Sequence, residues 1–346
     1  MKNIFKFVAA IRSGQQFHLY VTVIIITAFF AYMVGPRFLS LTNLASMAYQ
    51  LPLLGLLSIG MMIAMLSGGI NLSIVATSNF VGIMIALTLR ALTDGNMGEA
   101  SIPLIIIACL VGLAFTIVIG IFNGLLITKL NIPAILVTLG SMTLLRGISI
   151  VITGGRTISG FPSQLIFLGN GYILRTDYAA GIPVSIIILI LVIIGVHFVL
   201  NRSSYGQKLY MVGANPKACR YSNVNVTKVI VLEHVLSAVC AYFTSLILIG
   251  QLNSVRADFA ESFLLVAVLA SFLGGVNPNG GFGKLSGVVL AAIILQLFST
   301  GLNLMRVNPF MINAMWGGII IIILVVRGLS ADITNLLRKK GLKGGR

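Results

Sequence analysis

Few residues in this 346-residue chain could do chemistry. The first candidate is the run Asn279-Gly280-Gly281-Phe282-Gly283-Lys284. A phosphate-cradling P-loop needs a glycine five positions before its last glycine and a Ser or Thr after its lysine. Pro278 and Leu285 stand at those positions, so the run reads as a turn. His18, His197 and His234 have no acid and nucleophile beside them in a recognisable arrangement. Cys109, Cys219 and Cys240 lack CxxC spacing and imply neither a disulfide framework nor a metal site. No catalytic residue and no metal ligand is expected.

Glu233, His234 and Arg146 fall inside apolar runs. Glu233-His234 either pairs with cations at a membrane interface or relays protons. Arg146 facing lipid would cost roughly 2.5–3.5 kcal/mol on insertion scales, so it turns into the protein or snorkels outward. Uncharged polar residues are more numerous. Asn71, Ser73, Asn123, Thr138, Ser141 and Asn303, with neighbours such as Thr77, Asn79, Thr143 and Gln296, sit in or beside apolar runs. Singly each reads as glue between helices. As a set they could line a route for a neutral polyhydroxylated solute, because a polar pore without fixed charge suits a sugar better than an ion. Asn201–Lys228 is different: it carries Arg202, Lys208, Lys217, Arg220 and Lys228 and no acid. Pro216 suits the first turn of a short helix and Asn215 its N-cap. Two readings stand for this stretch, a cytoplasmic loop that sets orientation and a helix that docks a cytoplasmic partner.

The elements that must position these residues are membrane spans. The chain is 58% hydrophobic and 9% charged, unlike a soluble domain. Runs of about twenty apolar residues suffice to cross a bilayer core of roughly 30 Å. Ten spans are predicted: Phe17–Val34, Leu44–Leu66, Leu72–Leu89, Ile102–Thr128, Ile132–Thr153, Gly181–Leu200, Val229–Leu252, Ser262–Leu273, Leu285–Leu304 and Pro309–Val326. The eighth is short. Pro52 and Gly55 could kink the second. Lys2, Lys6 and Arg12 precede the first run, which is longer than a signal-peptide core and reads as an uncleaved span. With the N-terminus inside, sixteen of the 23 basic residues and one of the seven acids fall on the inner side. That bias orients the chain with both termini cytoplasmic. It also explains the +16 net charge as topology, leaving no case for nucleic acid. One domain is expected over 1–346, with a bundle over 17–326, a cytoplasmic loop over 201–228 and a basic tail over 327–346 near anionic lipid headgroups.

The stretch Ile132-Pro133-Ala134 through Thr138-Leu139-Gly140-Ser141, with Leu145-Arg146-Gly147 and Thr153-Gly154-Gly155, resembles the permease subunits of bacterial ribose-type sugar ABC importers, the branch that includes autoinducer-2 systems. So do Gly68-Gly69-Ile70-Asn71-Leu72-Ser73, Phe122-Asn123-Gly124, Tyr205-Gly206, Val212-Gly213-Ala214-Asn215, Phe272-Leu273-Gly274-Gly275 and Ser299-Thr300-Gly301-Leu302-Asn303. The likeness covers about 40–327. It implies an all-α, vitamin B12-importer-like (type II) permease fold in the bacterial inner membrane. It implies a second permease, a cytoplasmic ATP-binding cassette protein that holds ATP and magnesium, and a periplasmic or lipid-anchored sugar-binding protein. No cofactor would bind this chain. Ala214, Asn215, Pro216, Lys217, Ala218, Cys219, Arg220 and Tyr221 would form the coupling helix that enters the ATPase. The chain departs from the pattern at Asn71, where an aspartate is common, in the acid-free docking segment, and at Leu264-Leu265-Val266. A more acidic ATPase groove, or a heteromeric permease pair, would match those changes. The rival from another class is a standalone secondary transporter or channel, which would need a coupling-ion site or filter.

Overall fold

A computed structural model describes residues 17–173 and 181–322. The N-terminal cations, Arg175, Asp177, the last residues of the tenth predicted span and the basic tail lie outside the described residues. The described helices are α1 (Phe17–Val34), α2 (Leu41–Leu66), α3 (Ile74–Leu92), α4 (Ile102–Lys129), α5 (Ala134–Thr153), α6 (Ser163–Asn170) and α7 (Val184–Asn201). They continue with α8 (Ser204–Ala214), α9 (Pro216–Tyr221), α10 (Val226–Leu252), α11 (Phe263–Leu273) and α12 (Leu285–Leu304), and α13 (Pro309–Ile322). Eight of these are long and apolar enough to cross a membrane, and α11 and α13 are shorter apolar helices. The protein is a polytopic helical membrane protein.

The described helices begin and end within a few residues of the predicted spans because glycine, proline and polar residues punctuate the apolar runs. Ser40 accepts a hydrogen bond from Asn43 N at 3.3 Å and starts α2 three residues before the expected Leu44. Gly154, at φ +61°, ends α5 in a left-handed cap. Asn225 accepts from Lys228 N at 2.9 Å and starts α10 three residues early.

The core is built around α2, α3 and α10. Leu56, Met61, Met65, Ile74, Ala241 and Ile247 form part of one fully buried cluster. Lipid tails are as apolar as leucine, so close backbone approach must supply much of the cohesion between helices. The α4–α10 contact shows how. A Cβ on Gly120 would lie 2.6 Å from Val235 Cα, and one on Gly124 2.5 Å from Val231 Cα. Two glycines four residues apart therefore let the two backbones touch. Gly55 instead makes room for a side chain, with Leu189 of α7 where its Cβ would be. α2 stays one helix through Pro52.

The run expected as a loop after α5 is more structured. β1 (Ile158–Ser159) pairs antiparallel with β4 (Ser254–Val255), Ile158 opposite Val255. β2 (Tyr172–Ile173) pairs with β3 (Ile182–Pro183). Between them α6 packs backbone to backbone on α10 through Gly169 and Gly250. These elements cap one end of the bundle, and α8 and α9 cap the other.

Candidate functional site

At the second end, the stretch expected as a loop with one short helix holds two. Ser203 caps α8 by accepting from Gly206 N at 3.2 Å. Asn215 leaves the helical conformation at φ −159°, and its Oδ1 accepts from Ala218 N at 3.0 Å. Pro216 follows at the first turn of α9. The expected proline start and asparagine cap are both present. Among Ala214–Tyr221 only Cys219 is buried, and it packs in the main core with Leu209 and Val212. α9 is thus anchored by one side chain and presents the rest outward. Tyr221, 93% exposed, stands with Lys217 and Arg220 on that surface. A solvated aromatic beside two cations has the makeup of an interface anchor.

Three backbone segments meet beneath α9. Gly281 N donates to Leu66 O, the last residue of α2, at 2.9 Å. A Cβ on Gly280 would lie 2.7 Å from Gly68 N and 2.8 Å from Gly213 O. One on Gly213 would overlap the Leu66 carbonyl and lie 2.5 Å from Gly281 N. Tyr210 donates to Gly283 O at 2.8 Å, and burial raises its hydroxyl above the usual phenol range, keeping it a donor. The glycine run that fails as a P-loop is therefore the joint between the α8–α9 hinge, α2 and the α11–α12 turn. Gly280 (φ +89°) and Gly281 (φ +79°) adopt backbone conformations that suit glycine.

Five of the six polar residues expected along a solute route come together in the bundle. Ser141 of α5 donates to Asn123 Oδ1 of α4. Asn123 Nδ2 donates to Ser73 Oγ at 3.2 Å, and Ser73 Oγ to Asn71 Oδ1 at 2.7 Å. Asn71 Nδ2 donates to Ser237 Oγ of α10 at 2.9 Å, and Ser237 to Gly60 O of α2 at 2.8 Å. Thr138 donates to Ile70 O at 2.8 Å. All five residues are buried. The result is one hydrogen-bonded seam across α2, α4, α5, α10 and the α2–α3 connection. Buried amides are costly unless paired, and here they are paired. Ser237 was missed in the sequence because nothing local marks it as the partner of a residue 166 positions away. Asn303 is elsewhere, exposed at the far end of α12.

Glu233 and His234 correct the expected interfacial pairing. Both are buried, two turns into α10, and neither is ion-paired among the described residues. Ser67, just past α2, lies beside the Glu233 carboxyl. His234 Nδ1 lies 3.0 Å from Ile230 O. Packing of α10 in the bundle, with Ser67 beside Glu233, buries the pair.

Arg146 finds a partner that the sequence did not offer. Its guanidinium is 3.1 Å from Glu261 in the segment before α11, and both side chains are about half exposed. Asn79 of α3 positions that segment by donating to Ala257 O at 3.1 Å and Phe259 O at 2.8 Å. The ion pair borders a cleft of about 180 Å³ also lined by Val75, Asn79, Met142 and Leu264. A half-exposed ion pair on an apolar helix face is tolerable against water or protein and expensive against lipid.

Eight helices long and apolar enough to cross a membrane, joined by a buried polar seam, have the build of a polytopic membrane permease. The chain belongs to the family described as branched-chain amino acid transport system / permease component, which matches residues 43–325. It is 33% identical over 317 residues to a ribose import permease protein of Bacillus subtilis, covering 91% of this chain and 92% of that one. It is 29% identical over 332 residues to a galactose/methyl galactoside import permease protein of Salmonella typhimurium, covering 93% and 95%. An autoinducer 2 import system permease protein of Photorhabdus temperata is 27% identical over 327 residues, covering 92% of each chain. No solved structure gives a significant match. The protein is a multi-pass protein of the inner membrane.

Proposed function

We propose that this chain is the membrane-spanning subunit of an ATP-driven importer for a monosaccharide or sugar-like molecule. The observation that carries the reading is α9, an exposed basic helix fixed to the bundle at one residue and joined to α2 by the glycine contact. The relatives named as ribose and galactose import permeases support the solute class. In this reading ten spans cross the bilayer, α11 and α13 among them, with both termini cytoplasmic. The fold is of the vitamin B12-importer type.

The chain does no catalysis. A cytoplasmic cassette protein holds ATP and magnesium and receives Ala214–Tyr221 in a groove. A second permease completes the pore, and a periplasmic or lipid-anchored binding protein delivers the sugar. When the ATPase dimer closes, α9 moves as a lever, and the glycine joint passes the displacement to α2 and the α11–α12 turn. The seam through Asn71, Ser73, Asn123, Thr138 and Ser141 offers its amides and hydroxyls to the solute when α5 shifts from α4, while Asn303 meets it at the outer end. The half-exposed Arg146–Glu261 pair faces the water-filled side.

The test is a pull-down of tagged chain from gently solubilised membranes, read by mass spectrometry. Recovery of a cytoplasmic ATPase is expected. Recovery of the folded chain alone would overturn the reading in favour of a standalone transporter.

A further inference from the structure

A second polar region lies away from the seam. At the end of the bundle opposite α9, a cavity of about 370 Å³ opens between α2, α11, α12 and α13. That size falls in the range of roughly 300–1,000 Å³ typical of small-molecule sites. Five carboxamides line it, Gln50, Gln251, Gln296, Asn303 and Asn313, with the hydroxyls of Ser262 and Ser299. Among the described residues no ionisable side chain does. Trp316, the single tryptophan of the chain, closes one wall, its ring 5.4 Å from that of Phe298.

The amides are arranged rather than scattered. Gln296 Nε2 donates to Gln50 Oε1 and to Thr300 Oγ1, each at 3.1 Å. Gln251 Nε2 donates to Tyr49 O at 2.8 Å. Those bonds fix three amides and leave the Gln50 N–H groups and the Gln251 and Gln296 carbonyls without a partner among the described residues. Ser262, Ser299, Asn303 and Asn313 make no side-chain hydrogen bond there either. Gln50 lies nine residues into α2 and Gln296 eight residues from the end of α12. At 1.5 Å per residue both sit about 12–14 Å below the helix ends, within the depth of an apolar bilayer core. Free amides at that depth call for water or a polar ligand.

We infer that this cavity is a solute-binding site for a neutral polyhydroxylated molecule of monosaccharide size, taken up from the outer side. Carboxamides supply both donors and acceptors to sugar hydroxyls, and the absence of charge disfavours acidic and amino sugars. The indole of Trp316, 5% exposed, backs the apolar part of the cavity wall. The inference rests on the importer reading for the direction of entry and for the solute class.

Trp316 makes the site observable. Purified chain in nanodiscs is titrated with D-ribose, D-galactose and D-glucose while indole fluorescence is followed, with gluconate and glucosamine as charged controls. Equilibrium dialysis of the same labelled sugars covers an indole that does not respond. The expected result is saturable binding of at least one neutral sugar and none of the charged controls. Asn303→Leu with Asn313→Leu, both exposed and unbonded, should weaken binding by roughly tenfold without changing the thermal midpoint. No saturable binding by either readout would overturn the inference, as would equal affinity in the double variant or equal binding of the charged controls. The ATPase pull-down separates the two claims. Sugar binding without ATPase recovery sinks the importer and keeps the site. ATPase recovery without sugar binding does the reverse.

Discussion

Replacing Gly213 with alanine adds one methyl group at the point where three backbones meet. Its Cβ would overlap the Leu66 carbonyl oxygen and lie 2.5 Å from Gly281 N, inserting between a donor and an acceptor now 2.9 Å apart. The neighbouring atoms are backbone, so no side chain can rotate away. Overpacking costs about 1–3 kcal/mol and an unpaired buried N–H about 1–3 more, while alanine in a helix returns about 1. The net loss is about 1–5 kcal/mol. Gly213 sits three residues before Pro216, so the shift required to relieve the overlap also displaces α9. The chain should therefore lose thermal stability in nanodiscs and recover less ATPase in a pull-down. Gly140→Ala is the control, because nothing lies within 4 Å of its Cβ position, and its stability should hold or rise. A Gly213→Ala chain with the native midpoint and native ATPase recovery would refute the glycine joint as a tight mechanical contact.

Lys217→Glu with Arg220→Glu reverses two exposed charges on α9 and should cut ATPase association while leaving membrane insertion intact, as read by co-purification and by expression in the membrane fraction. Asn71→Leu leaves Ser237 and Ser73 short of a partner in the buried seam and should cost about 1–3 kcal/mol, seen as a lowered midpoint. Ser237→Ala removes only the far end of the same chain of bonds and should cost less. Glu261→Gln breaks a half-exposed ion pair worth about 0–1 kcal/mol, so stability should barely change. A large drop would mean that the Arg146–Glu261 pair is covered by a partner. Tyr210 stays neutral in the fold beyond the usual phenol range. The stability it lends to α8 is present below pH 10, its ordinary value, and lost as pH rises through its raised one. Tyr210→Phe should flatten that part of a pH–stability curve.

Much of this was legible in the sequence because membrane spans are written in composition. α1 and α12 have the predicted bounds, and the other described spans differ by a few residues at capped ends. The cap at Asn215 and the start at Pro216 were legible too, since both are local chemistry. What escaped was tertiary. α8 and α6 are short helices in polar or mixed runs, packed on distant segments through Gly213 and Gly169. The set of polar residues was read as one lining, yet the fold divides it. Nothing along the chain distinguishes Asn123, locked to Ser141 and Ser73, from Asn303, open to a cavity. For Glu233 the sequence leaves interfacial pairing and a proton relay both open, and the burial that separates it from any cation is set by the elements packed on α10.

That division bears on how such a bundle could move. A seam whose donors and acceptors are all satisfied holds α4, α5 and α10 together, and opening it exposes several buried polar groups at once. The far-end cavity already offers free amides at membrane depth, so a solute can be held there without breaking any bond of the protein. The glycine joint lies at the other end, on α2, and α2 carries both Leu66 of the joint and Gln50 of the cavity. On the proposed reading, displacement of α9 would act on the joint end of α2, and the same continuous helix reaches Gln50 of the cavity. A single buried helix can therefore link docking to solute release, provided that it moves as one piece. The continuous helix through Pro52 is the feature on which this depends, and a flexible break there, as in Leu51→Gly beside Pro52, should uncouple ATP hydrolysis from uptake while leaving ATPase binding unchanged; native coupling in that variant would refute it.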